Sequence, residues 1–148
     1  QQRSVQLSQG TTIDFDGLVI ATGAQNRQLP ALDGRPGVFT LRTLTEALAL
    51  RQALSDAKSL LIVGGGFIGA EVAATAHGLG IRVCIVEPQQ TLMFRGLGKE
   101  VGSAMTNLHR EKGIDVRCNT KIAHVHDDGE RTSIELSDGT THTPDVIL

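Results

Sequence analysis

The sequence predicts an α/β fold of three layers: a parallel sheet between a layer of helices and a β-meander. Three observations predict it. Two short runs, Ser59-Leu60-Leu61-Ile62-Val63 and Arg82-Val83-Cys84-Ile85-Val86, are apolar without alternation, which suits strands buried on both faces. Helical spacing follows each of them. Beyond the last helix, short strands are punctuated by the turns Asp128-Gly129 and Asp138-Gly139, as in a meander. Strand, helix, strand, helix, strand in that order implies parallel pairing through right-handed crossovers.

From the N-terminal end, Val5, Leu7, Ile13 and Phe15 alternate about a Ser8-Gln9-Gly10 turn and predict a hairpin. It feeds an apolar strand, Leu18-Val19-Ile20-Ala21, which Gly23 stops. Residues 24–37 form a polar connector punctuated by Pro30, Gly34, Pro36 and Gly37. From Thr43 the spacing turns helical and puts Leu44, Ala47, Leu48 and Leu54 on one side. After the first buried strand a glycine turn opens a helix over residues 67–79, with Gly80 beyond its end. A third helix over residues 99–112 carries Val101, Ala104, Met105 and Leu108 at i, i+3, i+4 and i+7, and stops at Gly113. Residues 114–117 return to the sheet, residues 121–126 and 132–136 supply the meander, and a final strand runs into Leu148.

Composition narrows the function. A chain of 148 residues with 40% hydrophobic content fits one domain with a core of ordinary size. Fourteen Lys and Arg against 16 Asp and Glu leave a net charge of -2, so there is no basic excess for nucleic acid. With four Phe and neither Tyr nor Trp, there is no stacking platform for single strands either. No apolar run approaches the roughly 20 residues of a membrane span. Cys84 and Cys118 have neither Cys-x-x-Cys nor metal spacing and read as small apolar groups in strands, as in a reduced cytoplasmic protein. His77, His109, His124, His126 and His142 are scattered and read as surface residues, and no metal site is expected.

An internal repeat bears on domain organisation. Ser4-Val5-Gln6-Leu7-Ser8-Gln9-Gly10-Thr11-Thr12 recurs as Ser133-Ile134-Glu135-Leu136-Ser137-Asp138-Gly139-Thr140-Thr141. Extended forward, the alignment pairs Asp16 with Asp145, and seven of sixteen positions are identical. Hairpin chemistry alone accounts for part of this, since Ser, Gly and Thr are common turn residues. The stronger reading makes each copy the closing hairpin and return strand of a dinucleotide-binding domain. The second closes the domain that opens at Ser59, and the first closes another whose opening lies upstream of Gln1. The absence of an initial Met and the end at Leu148 within Asp145-Val146-Ile147-Leu148 point the same way, to a piece of a longer protein.

The strongest local signal is Gly64-Gly65-Gly66-Phe67-Ile68-Gly69, after a buried strand and at the start of a helix, the setting of a Rossmann-like nucleotide site. Gly64 permits the tight turn, Gly66 lets backbone approach a pyrophosphate, and Gly69 lets helix and strand pack closely. The first N–H groups of the helix then face the phosphates. Glu87, at the end of the next strand, is placed to accept the hydroxyls of an adenosine ribose, where a 2′-phosphate would be repelled. No cation precedes Arg95 in the following stretch, so NADH is expected over NADPH, with Arg95 as a further cofactor residue. Glu71 has two readings, compensation of a helix dipole or contact with a ligand over the helix, and spacing leaves both open. No Gly-x-Ser-x-Gly, His-Glu-x-x-His or Walker pattern appears, so no catalytic residue is singled out.

The stretches Asp16-Gly17-Leu18-Val19-Ile20-Ala21-Thr22-Gly23-Ala24, Val38-Phe39-Thr40-Leu41-Arg42-Thr43-Leu44, Gly64 to Glu71, and Leu108-His109-Arg110-Glu111-Lys112-Gly113-Ile114-Asp115 carry a resemblance. They resemble the pyridine nucleotide-disulfide oxidoreductases, and within these the NADH-dependent ferredoxin reductases that serve aromatic-ring dioxygenases. The resemblance implies a flavoprotein in which NADH reduces FAD and FAD passes single electrons to a ferredoxin or rubredoxin. Residues 1–28 would be the tail of an FAD-binding domain and residues 32–148 an NAD-binding domain truncated in its last strand. Thr22 and Gly23 would lie beside the FAD, and Arg27 near its phosphates, although Asn26 stands where such proteins carry Pro. Phe67 would sit at the nicotinamide pocket and Glu71 would bond its carboxamide end. The alternatives are a thiol-active flavoprotein, of the CoA-disulfide reductase or NADH oxidase type, and a non-catalytic NAD-binding module. On the flavoprotein reading, the isolated chain binds NADH weakly and does not retain FAD.

Overall fold

A computed structural model describes residues 3–148; Gln1 and Gln2, which open the first expected segment, lie outside them. The element order is β1 (Ser4–Gln6), β2 (Thr12–Asp14), α1 (Leu44–Asp56), β3 (Ser59–Val63), α2 (Phe67–Gly78), β4 (Arg82–Glu87), α3 (Phe94–Glu111) and β5 (Asp115–Cys118). It continues with β6 (Ile122–Asp127), β7 (Thr132–Leu136), β8 (Thr141–His142) and β9 (Val146–Ile147). The parallel sheet runs β5-β4-β3-β9, with Leu61 opposite Cys84 and Ile147 on its two sides. The three-layer expectation holds. On one face Leu60, Ile62, Val83 and Ile85 pack against Leu50, Ala70, Ala73 and Ala76 of the helices. On the other, Leu61, Cys84, Val86 and Ile147 pack against Leu32 and against Ile134 and Leu136 of the β6-β7-β8 meander. A strand with one face toward helices and the other toward a second sheet has no polar side, which is why β3 and β4 read as unbroken apolar runs.

The repeated hairpins share their turn bonding. In the first, Leu7 N–H donates to Thr11 O at 2.7 Å and Gly10 N–H to Leu7 O at 2.9 Å. In the second, Leu136 N–H donates to Thr140 O at 2.8 Å and Gly139 N–H to Leu136 O at 2.9 Å. Asp145, aligned with Asp16, ties the return strand to the start of β3. Its carboxylate accepts the N–H groups of Lys58 and Ser59, each at 3.0 Å, and the Ser59 hydroxyl at 2.8 Å. These bonds hold the Asp145 carboxyl below its usual range, the Ser59 hydroxyl most of all.

Several expectations need correction. Leu18-Val19-Ile20-Ala21 is not a strand: it is irregular, and Val19 and Ile20 are 88% and 79% exposed. An apolar run becomes a strand only beside a partner, and none of the described strands pairs with it. The connector, in contrast, joins the sheet at its end, where Phe39 N–H donates to Ile147 O and Ile147 N–H to Gly37 O, both at 2.8 Å. On α1 the buried residue is Leu50, flanked by half-buried Ala47 and Leu54, while Leu44 and Leu48 face outward. On α3 the inward residues are Gly102, Thr106 and His109, and Val101, Ala104 and Leu108 are exposed. A short turn precedes the expected third helix, and the axis breaks at Gly98 (φ 72°, ψ -173°). His109 is therefore not a surface residue. It is 7% exposed, with Nδ1 2.8 Å from Met105 O and Nε2 3.3 Å from Ala70 O, so it ties α3 to the opening turn of α2.

Both cysteines occupy the apolar strand positions expected. Burial pushes the Cys84 thiol up to about 12, with the nearby Asp115 carboxylate adding to it, and burial raises Cys118 as well. Helix α1 starts at a capping box in which Thr43 Oγ1 accepts Glu46 N–H at 3.2 Å and Glu46 accepts Thr43 N–H at 2.7 Å. The Thr40 hydroxyl also donates to Glu46, and with the Thr43 bonds it lowers that carboxyl from 4.5 to about 2. A folded-state value below the unfolded one means the unfolded chain binds more protons between those limits, so stability falls as pH drops through that window. Glu46→Gln is expected to flatten the pH dependence of the urea midpoint between about 4.5 and 2. A mutant curve parallel to wild type there would remove Glu46 from the acid response.

Candidate nucleotide site

The carboxyl ends of β3 and β4 lead into one cleft of about 560 Å³. Gly64 takes φ +115°, a turn that a side chain rarely allows, and its N–H donates to Val86 O at 2.9 Å. Gly69 lies beneath the turn, where a Cβ would stand 2.2 Å from Gly64 O and 3.1 Å from Ile62 Cγ2. Gly66 is the N-cap of α2, and a Cβ there would meet nothing within 4 Å. That open side lies next to the unpaired N–H groups of the first helical turn, where an anion gains most.

Glu87 closes the site from β4. Its carboxylate accepts Gly65 N–H and Gln89 N–H, each at 2.7 Å. Each oxygen keeps a lone pair free for an additional donor. The loop after Glu87 folds back on the glycines: Met93 N–H donates to Gly65 O at 2.7 Å, and buried Leu92 fills the space beside Gly65.

The cleft brings together Gly64, Gly66, Phe67, Glu87, Arg27 and Arg95. Phe67 is half exposed and lies over Gly96, where a Cβ would be 2.8 Å from its ring. Ile68 and Glu71 do not line this cleft. They face a separate groove between α1 and α2, with Arg42, Thr43, Leu44 and Ala47. Glu71 is the fifth residue of α2, and the first turn holds no acidic side chain, so the dipole reading fails. Thr22 and Gly23 are exposed on the irregular stretch and are not among the residues lining the cleft. Sequence reading missed Gly65, Leu92 and Met93. The glycine triplet carried a signal for the first, since a Cβ on Gly65 would lie 2.4 Å from Leu92 Cδ2. Nothing local marks the other two, because the contact comes from a loop folding back.

Among the described residues no group of His, Cys, Asp and Glu could hold a metal ion, and no helix is long and apolar enough to cross a membrane. A parallel sheet, a glycine turn into a helix and a carboxylate at the next strand's end define a dinucleotide-binding domain. The chain belongs to the pyridine nucleotide-disulphide oxidoreductase family, whose sequence model matches residues 1–148. It is 42% identical, over its whole length, to 36% of the ferredoxin–NAD(+) reductase component of the p-cumate 2,3-dioxygenase system of Pseudomonas putida. Among solved structures, a ferredoxin reductase from Rhodopseudomonas palustris superposes with a TM-score of 0.81 at 37% identity, over 99% of this chain and 37% of that one. A covalent putidaredoxin reductase–putidaredoxin complex gives 0.78 at 33% identity, over 99% of this chain and 37% of its match. The chain thus spans little more than a third of the relatives it matches.

Proposed function

We propose that the chain is the NADH-binding part of an FAD-dependent ferredoxin reductase, one that passes electrons from NADH to an iron–sulfur protein. The observation that carries this is the joined glycine turn and Glu87 carboxylate, linked at 2.7 Å on the wall of one cleft. The residues fit the ligand: Gly66 leaves room for a phosphate, and Glu87 keeps lone pairs for ribose hydroxyls. Arg95 on the same cleft offers a charge to the pyrophosphate, while the Glu87 carboxylate disfavours a 2′-phosphate, so NADH is preferred to NADPH. Arg27, which also lines the cleft, offers a second charge for a phosphate-bearing group, as an FAD contact requires. The flavin, when bound, supplies the conversion of a hydride donor into single electrons.

On this reading Glu71 keeps its assignment to the carboxamide end of the nicotinamide, and Ile68 its place among the cofactor-binding residues, from the groove beside α1. Residues 1–28, with Thr22 and Gly23, belong to the FAD side, and residues 32–148 to the NAD side. The ferredoxin partner rests on the names of the relatives at 33–42% identity. An anaerobic NADH titration of the flavoprotein containing this chain tests the proposal by counting reducing equivalents per FAD. About two electrons per flavin, the capacity of the flavin alone, agree with it. About four reveal a redox-active disulfide and move the protein to the thiol-active branch.

A further inference from the structure

We propose that Met93 is a positioning residue for the pyrophosphate, acting through its backbone N–H on the Gly65–Gly66 peptide. This rests on the dinucleotide reading of the cleft and names what holds the donor in place.

Among the described residues, Met93 is one of two that are not glycine and have positive φ, at 53°. A left-handed conformation disfavours a residue with a Cβ, and at a ligand cleft such an outlier points to a constraint. Here the constraint is visible. The conformation turns Met93 N–H onto Gly65 O at 2.7 Å, while Met93 O accepts Gly96 N–H and Leu97 N–H, each at 2.9 Å, to start α3. The residue is 8% exposed and lines the cleft, so it is held from both sides.

The effect on the glycine turn follows from peptide geometry. The Gly65–Gly66 peptide is trans, as are all the described ones, so Gly66 N–H points opposite to Gly65 C=O. Met93 fixes the carbonyl and thereby fixes the direction of Gly66 N–H. Glu87 fixes the preceding N–H, that of Gly65, at 2.7 Å. With the turn held at both ends, Gly66 N–H has no acceptor among the described residues, at a residue whose Cβ position is open. A donor set before the ligand arrives need not be ordered on binding.

Two substitutions separate backbone from side chain. Met93→Gly keeps the N–H and accepts the left-handed conformation. Met93→Val resists it, because a β-branched residue is poorly tolerated there. Binding of ADP-ribose and of adenosine to the 148-residue chain is measured by calorimetry and ligand-observed NMR. Met93→Val is expected to weaken ADP-ribose at least about tenfold and to leave adenosine within about twofold, while Met93→Gly, which loses a buried side chain but keeps the backbone conformation, loses less ADP-ribose affinity than Met93→Val. Equal losses for both ligands, no loss for either, or a loss in Met93→Gly matching that in Met93→Val would overturn the role. Should Met93→Val not fold, wild-type amide spectra decide. Met93 N–H should exchange slowly, and Gly66 N–H should shift with ADP-ribose but not with adenosine. An unmoved Gly66 amide in a chain that binds ADP-ribose overturns this inference alone. A chain that binds neither ligand overturns the dinucleotide reading and this inference with it.

Discussion

Gly69→Ala is expected to destabilise the chain by about 2–4 kcal/mol and to abolish measurable NADH binding. The added Cβ would stand 2.2 Å from Gly64 O, a backbone atom that no rotamer change can move aside. Helix α2 must then back away from β3, or the glycine turn must open, and either loses the close contact of Ala70 and Ala73 with the sheet. Urea denaturation followed by circular dichroism gives the stability change. Gly66→Ala is the matched comparison, since its Cβ would meet nothing within 4 Å and its φ of -73° suits any residue. That variant should lose no more than about 1 kcal/mol, the cost of a poorer N-cap, yet bind NADH at least about tenfold more weakly. If Gly66→Ala bound NADH as wild type, no ligand would approach the backbone there.

Glu87→Arg is expected to produce the second large effect, and to produce it twice. The substitution removes the acceptor of Gly65 N–H and Gln89 N–H, both at 2.7 Å, and hydrogen bonds to a charged group are worth about 1.5–3 kcal/mol each. The loop loosens, so absolute affinity falls for NADH and NADPH alike. The ratio of the two isolates the ribose, because loosening is common to both cofactors while a cation favours only the 2′-phosphate. The NADPH to NADH ratio should rise at least about tenfold even as both affinities drop. An unchanged ratio would leave Glu87 as a loop anchor with no part in reading the ribose.

These two residues also mark what could be read from the sequence. Gly64, Gly66 and Gly69 were legible because each answers a local need: a left-handed turn, an open approach and a tight crossing within six residues. The buried strands β3 and β4 were legible because both their faces are covered. Helix faces were not. On α3 the inward side is marked by a small residue: a Cβ on Gly102 would lie 2.3 Å from Thr91 Oγ1, so close approach, not bulk, selects that face. A search for large apolar spacing finds Val101 and Leu108 instead, which are exposed. His109 misled for a related reason, since burial of its ring depends on two carbonyls, one of them supplied by α2. Met93 lay beyond reach because a backbone angle in a loop leaves no trace in residue type.

The bare stretch from Leu18 to Ile20 also governs how the chain behaves in a tube. Three consecutive aliphatic side chains, 53%, 88% and 79% exposed, sit beside a backbone with no ladder partner among the described strands. Such a segment is a template for intermolecular pairing, and the flanking Asp16 is the nearest charge on its N-terminal side. A net charge of -2 on 148 residues supplies little long-range repulsion to keep copies apart. Colloidal stability is therefore weakest near the isoelectric point of about 6.2, and a buffer well above it protects the chain by charge where the fold leaves it unprotected by structure.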